Sequence, residues 1–109
     1  MHSESNMGRT VVFGNYEWDE EKNRANAAKH GITFEETVAV FDDPYFLELY
    51  DEAHSEQDEQ RTLGIGAIHG LVIVATVFTE RTRTRIISSR HANPSEEKRY
   101  YERIPRHEC

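Results

Sequence analysis

Apolar residues recur at two different spacings along the chain, and each change of spacing marks a different element. From Thr10 to Trp18 the apolar run of Val11, Val12 and Phe13 and the aromatics Tyr16 and Trp18 flank Gly14-Asn15, which predicts a first strand interrupted at the glycine. DEEKNRANAAKH follows. Asp19 serves as N-cap, Glu20 and Glu21 stand in the first turn, Lys29 and His30 near the end, and Gly31 where a left-handed residue closes a helix. Thr33 opens a second helix with Glu36 in capping-box position, and Phe34, Val38 and Phe41 recur at i, i+4 and i+7 until Asp42-Asp43-Pro44 stops it.

Beyond Pro44 the period is two. YFLELYD sets Tyr45, Leu47 and Leu49 against Phe46, Glu48 and Tyr50, and after the acidic stretch EAHSEQDEQ, RTLGIGAI sets Leu63, Ile65 and Ala67 against Thr62, Gly64 and Gly66. His69-Gly70 turns into the continuous apolar strand LVIVATVF, and a turn near Glu80 to Thr82 leads back along RTRIISSR. Asn93, Pro94 and Glu96 then open a last helix that carries Tyr100, Tyr101 and Ile104 and stops at Pro105. The order of strand, two helices, an antiparallel meander of about four strands and a C-terminal helix predicts an α+β domain over residues 10–104, with residues 1–9 and 105–109 as tails. Helices are expected largely on one face of the sheet. The other face is then free for a ligand, with Gly64 and Gly66 leaving room, although glycine in a strand equally marks a bulge.

At 109 residues the chain is one domain by size, and several classes fall away. Leu71 to Phe78 is far shorter than the ~20 residues of a membrane span, and MHSESNMGRT lacks a signal-peptide core, so the cytoplasm is the expected compartment. The single cysteine, Cys109, can form neither an intrachain disulfide nor a cysteine metal site. No histidine spacing indicates zinc, and no cofactor is expected.

Charge is divided unevenly. Residues 1–60 hold 15 acids against 4 Lys or Arg, whereas residues 61–109 hold 9 Lys or Arg against 5 acids, although the whole chain is at -7. Arg81, Arg83, Arg85 and Arg90 fall in one stretch, RTRTRIISSRH, which either faces an anion or merely keeps a sheet edge soluble. Arg90 and His91 precede the helix start at Asn93, so cation, imidazole and unpaired helical N–H groups can converge on a phosphate, unless Glu96 and Glu97 already satisfy that end. Arg85 and Arg90 would lie ~17 Å apart on an extended strand, so together they suit a chain of phosphates better than one phosphate.

The stretches YEWDEEKNRANAAKHGITFEE, FDDP, DEAHSEQDEQR with LGIG, RTRIISSRHA and EEKRYYE, in this order, resemble the BrnT toxins of bacterial type II toxin-antitoxin systems across Tyr16 to Glu102. The resemblance implies a ribonuclease with a fold related to the RelE toxins, silenced by a DNA-binding BrnA antitoxin. His91 and Pro94-Ser95 depart from the basic residues frequent at those positions. Metal-independent cleavage of RNA needs a base for the ribose 2′-hydroxyl, cations for the phosphorane and an acid for the leaving oxygen. His54, Glu59, Arg61, Arg85 and Tyr100 form the catalytic pool, and Arg83, Arg90 and His91 are expected to bind RNA. His54 and Glu59 are equally readable as solvated loop residues, Arg61 as a salt-bridge partner and Tyr100 as core. Arg85, beside Ile86-Ile87, is expected to be better anchored than Arg81 or Arg83 near the turn, and to share a strand face with Arg83, Ile87 and Ser89. The partners implied are RNA and a BrnA-like antitoxin in a complex with two copies of each protein. Two other readings stand beside the ribonuclease: a module of the same fold that binds RNA or antitoxin without cleaving, and a metal-assisted hydrolase using His54 with neighbouring acids.

Overall fold

A computed structural model describes residues 9–50 and 60–105. Its elements are β1 (Thr10–Phe13), β2 (Tyr16–Asp19), α1 (Glu20–His30), α2 (Phe34–Thr37), β3 (Leu47–Tyr50), β4 (Thr62–Ile68), β5 (Val72–Glu80), β6 (Thr84–His91) and α3 (Pro94–Glu102). One sheet takes all six strands in the order β1-β2-β6-β5-β4-β3. The fold is α+β, as the patterning predicts.

Local signals fix the helix ends. The Asp19 side chain accepts from the Glu21 N–H, and Gly31, at φ 72°, closes α1. Thr33 with Glu36, and Asn93 with Glu96, each make both bonds of a capping box. Two expectations need correction here. The interrupted first strand is two strands, β1 and β2, paired antiparallel from Thr10↔Asp19 to Phe13↔Tyr16. The second helix is α-helical only through Thr37, after which Val38–Asp42 tightens into a 3-10 turn.

Strands β3 to β6 pair antiparallel in chain order, and the apolar β5 lies between β4 and β6. The His69-Gly70 turn joining β4 to β5 has φ 54° and 71° at its two residues, the backbone that a tight hairpin of this twist requires. β2 then joins the far side of β6 in parallel, with Tyr16↔Thr84, Glu17↔Arg85 and Trp18↔Ile86 as partners.

Successive β5 side chains point to opposite faces. Ile73 and Ala75 pack with Ile65, Ala67, Tyr100 and Ile104, so α3 covers this face of β4 and β5. Val74 packs with Ile32 and Val40 on the other face, which Trp18, Phe34 and Ile86 extend. The expectation of helices on one face and a vacant second face is therefore overturned: the apolar periods of α2 and α3 bury against opposite sides. Gly64 and Gly66 line no ligand space. A Cβ on Gly64 would meet Phe46 Cζ at 2.3 Å, and one on Gly66 would meet Val40 Cγ1 at 2.7 Å, so the bare backbone admits those side chains onto the sheet.

A bulge sits at Val77/Phe78, where Val77 pairs with Ser88 but Phe78 with Ile86, leaving Ile87 as the extra residue. The face of each later β6 residue is thereby reversed. Arg85 shares the α3 side of the sheet with its partners Glu17 and Thr79, towards the other end from α3. Ser89, expected beside Arg85, is buried on the α1 side, where its Oγ lies 2.7 Å from Thr37 Oγ1 and its N–H donates to Asn26 Oδ1. Asn23 and Asn26 of α1, buried and unremarked in the sequence, bond the Phe34 N–H and the Ile32 carbonyl. Those bonds lock α1 to the start of α2 and to β6.

Candidate functional site

Four strands deliver charged side chains to one end of the sheet. Glu17 on β2 and Arg85 on β6 are register partners, and Arg85 Nη1 donates to Glu17 Oε2 at 2.8 Å with the side chains 21% and 14% exposed. On its other flank Arg85 pairs with Thr79, whose hydroxyl donates to the Gln60 carbonyl at 2.9 Å. That bond fixes the chain immediately before Arg61, at the entry to β4. Arg81 follows β5, in a turn closed by its N–H to the Arg83 carbonyl and by Thr84 N–H to the Asn15 carbonyl.

The consequence is a cavity of about 160 Å³ lined by Asp19, Lys22, Arg61, Arg81 and Arg85, with Ile86 and Ile87 completing the wall. It has room for about five waters at ~30 Å³ each, and so for one phosphate-sized anion. Guanidinium forks suit a phosphate because each can donate to two of its oxygens.

Arg61 and Arg85, 24 positions apart in sequence, are thus brought to one place. Of the other described candidates, Arg83, Arg90, His91 and Tyr100 do not line this cavity. Arg90 donates to both carboxylate oxygens of Glu96, at 2.8 and 2.9 Å, and Glu96 also receives the Asn93 N–H. The start of α3 is therefore satisfied by Glu96. Burial tends to raise the Glu96 pKa, but the Arg90 bond, the larger influence, holds it below its ordinary value. His91 is exposed at the end of β6, and Arg83 is half-buried in the β5–β6 turn. His54 and Glu59 lie outside the described residues. Sequence reasoning set Arg81 aside as a turn residue, read Asp19 only as a helix cap and passed over Glu17 and Lys22.

Tyr100 belongs to a different place, a larger cavity of about 610 Å³ between α3, the His69-Gly70 turn and the Asp43–Tyr45 corner. Its hydroxyl donates to Asp43 Oδ2, which also accepts the Ala67 N–H, while Asp43 Oδ1 accepts the Tyr45 N–H. Burial and that carboxylate push the Tyr100 pKa far up, so the phenol stays protonated. Burial alone would raise Asp43, but the three hydrogen bonds and nearby Arg103 outweigh it and hold its pKa below the ordinary value. Carboxylates depressed in the folded state stabilise it above their unfolded pKa and lose that contribution as pH falls through the folded one. The melting temperature is accordingly expected to be level from pH 7 to about 5 and to drop below about pH 4. Asp43→Asn should flatten part of that acid slope, whereas an unchanged slope in thermal melts would remove Asp43 from the account.

The family model for the ribonuclease toxin BrnT of type II toxin-antitoxin systems matches residues 18–96. The chain belongs to this family. It is accordingly a ribonuclease toxin of a type II system, a class that implies an RNA target and an antitoxin partner. The matched span contains each of the described charged residues lining the arginine cavity. The crystal structure of the Brucella abortus ribonuclease toxin BrnT is similar, with 29% identity, 70% of this chain and 92% of that chain covered and a TM-score of 0.46. No curated protein matches. Among the described residues, no helix is long and apolar enough to cross a membrane, and no three His, Cys, Asp or Glu side chains are grouped to hold a metal.

Proposed function

We propose that this BrnT-family toxin binds the scissile phosphate of RNA in the arginine cavity and cleaves without a metal ion, by attack of the ribose 2′-hydroxyl. The observation carrying this reading is the convergence of Arg61, at the entry to β4, with Arg81 and Arg85 of the β5–β6 hairpin onto one cavity. Arg85, anchored between β2 and β5, stabilises the charge that develops on the phosphorane, and Arg61 assists it. Arg83, Arg90 and His91 contact neighbouring phosphates as the RNA passes along β6. His54 is a candidate for the acid that protonates the leaving oxygen, on its chemistry alone.

In the cell the protein acts in the cytoplasm, arrests growth through loss of RNA, and shares its fold ancestry with the RelE toxins. A BrnA-like antitoxin neutralises it in a complex of two copies each, with antitoxin acids covering the arginine face. The direct test incubates the purified, antitoxin-free toxin with RNA in the presence of EDTA. Cleavage leaving 2′,3′-cyclic or 3′-phosphate ends is expected. Products with 5′-phosphate ends, or activity that returns only with a divalent metal, would reject the mechanism, and binding without cleavage would favour a module that has lost catalysis.

A further inference from the structure

We propose that Asp19 is the general base of the cleavage, the carboxylate that takes the 2′-hydroxyl proton while the arginines hold the phosphate. The inference rests on the phosphate-site reading above. Activating a hydroxyl requires a proton acceptor, and arginine and protonated lysine offer none. Of the described charged side chains that line the cavity, Asp19 is the acceptor and the others are cations. Glu17, two residues earlier on the same face of β2, does not line the cavity and is engaged by Arg85 at 2.8 Å. The two carboxylates therefore divide the work: Glu17 positions the catalytic arginine, and Asp19 meets the substrate.

Asp19 is also held in place. Its Oδ1 accepts the Glu21 N–H at 2.9 Å as the N-cap of α1, which orients the carboxylate at the exit of β2, where it lines the cavity. Capping does not require the charge, since asparagine and serine cap about as well as aspartate. In the step proposed, the 2′-hydroxyl proton passes to the Asp19 carboxylate as the 2′-oxygen bonds to phosphorus. The bond from phosphorus to the 5′-oxygen then breaks. The 5′-oxygen takes a proton from the acid, for which His54 is the candidate, or from water, Asp19 returns its own to solvent, and the products are a 2′,3′-cyclic phosphate and a 5′-hydroxyl.

The equivalence of caps supplies the experiment. Asp19→Asn keeps an oxygen for the Glu21 N–H and should melt with the wild type, yet cleave an RNA oligonucleotide ~10²- to 10⁴-fold more slowly in single turnover. Its affinity for a 2′-O-methyl oligonucleotide, which cannot be cleaved, should be unchanged or tighter, because a negative charge has been removed from a phosphate site. Asp19→Ser, which also caps, should be as slow and should be partly rescued by added formate. Either capping variant, folded and cleaving within about threefold of wild type, overturns the proposal while leaving the ribonuclease reading intact. Weakened binding in proportion to the lost rate also overturns it, since a base should not affect affinity. A wild-type toxin that binds the oligonucleotide but does not cleave RNA overturns both.

Discussion

Replacing Arg85 by alanine is expected to slow RNA cleavage by ~10²-fold or more, the loss of about 3 kcal/mol that follows removal of one donor to a developing oxyanion. The strand context makes this arginine the sensitive one. Its backbone is paired on both flanks, to Glu17 on β2 and to Thr79 on β5, and its fork is aimed by the carboxylate at 2.8 Å. Lysine at the same position keeps the charge and loses the fork, so Arg85→Lys should bind RNA yet still cleave slowly. The alanine variant also leaves Glu17, 14% exposed, without its cation, and a stability loss must be separated from a catalytic one. Arg85→Ala combined with Glu17→Gln removes that isolated charge and should melt closer to wild type without recovering activity. A folded Arg85→Ala protein that cleaves within about threefold of wild type would place the transition-state contact elsewhere.

The largest effect on stability is expected at the residue between the two acids. Trp18 is 0% exposed and packs edge-on against Phe34, with ring centroids 6.1 Å apart, and against Ile86 across the parallel pairing. Truncation to alanine should cost about 3–5 kcal/mol, a large part of the 5–15 kcal/mol that holds a domain of this kind together. Because Glu17 and Asp19 alternate with Trp18 along β2, loosening the tryptophan also releases both carboxylates. Urea titration of Trp18→Ala should show a midpoint shifted far down, with cleavage lost at temperatures where the wild type is active. A midpoint within experimental error of wild type would mean that β2 is not held by this core.

The parts of the architecture written in neighbouring residues were legible before the structure. Asp19, Thr33 with Glu36, and Asn93 with Glu96 announce helix starts because a cap is a contact between residues two or three positions apart. Arg61 is singled out through the family resemblance and Arg85 through its place beside Ile86-Ile87, and both line one cavity. The parallel pairing of β2 with β6 was not legible, since it joins Glu17 to a residue 68 positions away and leaves no local mark. The bulge at Ile87 hid in an ordinary alternation and so misassigned Ser89. Gly64 and Gly66 suggested space because the aromatic ring that fills it, Phe46, comes from an earlier segment. Asp19 was read correctly as a cap, and that sufficient local explanation concealed its place in the cavity.

The parallel strand has a further consequence for a cell that makes this toxin. β2 is synthesised early and β6 late, and at ~5–20 residues per second the 68 positions from Glu17 to Arg85 take roughly 3 to 14 seconds to be made. Until then the carboxylates of β2 have no arginine beside them and the cavity has no walls. A chain that ends before β6 therefore carries the carboxylates of β2 without the arginine cavity beside them.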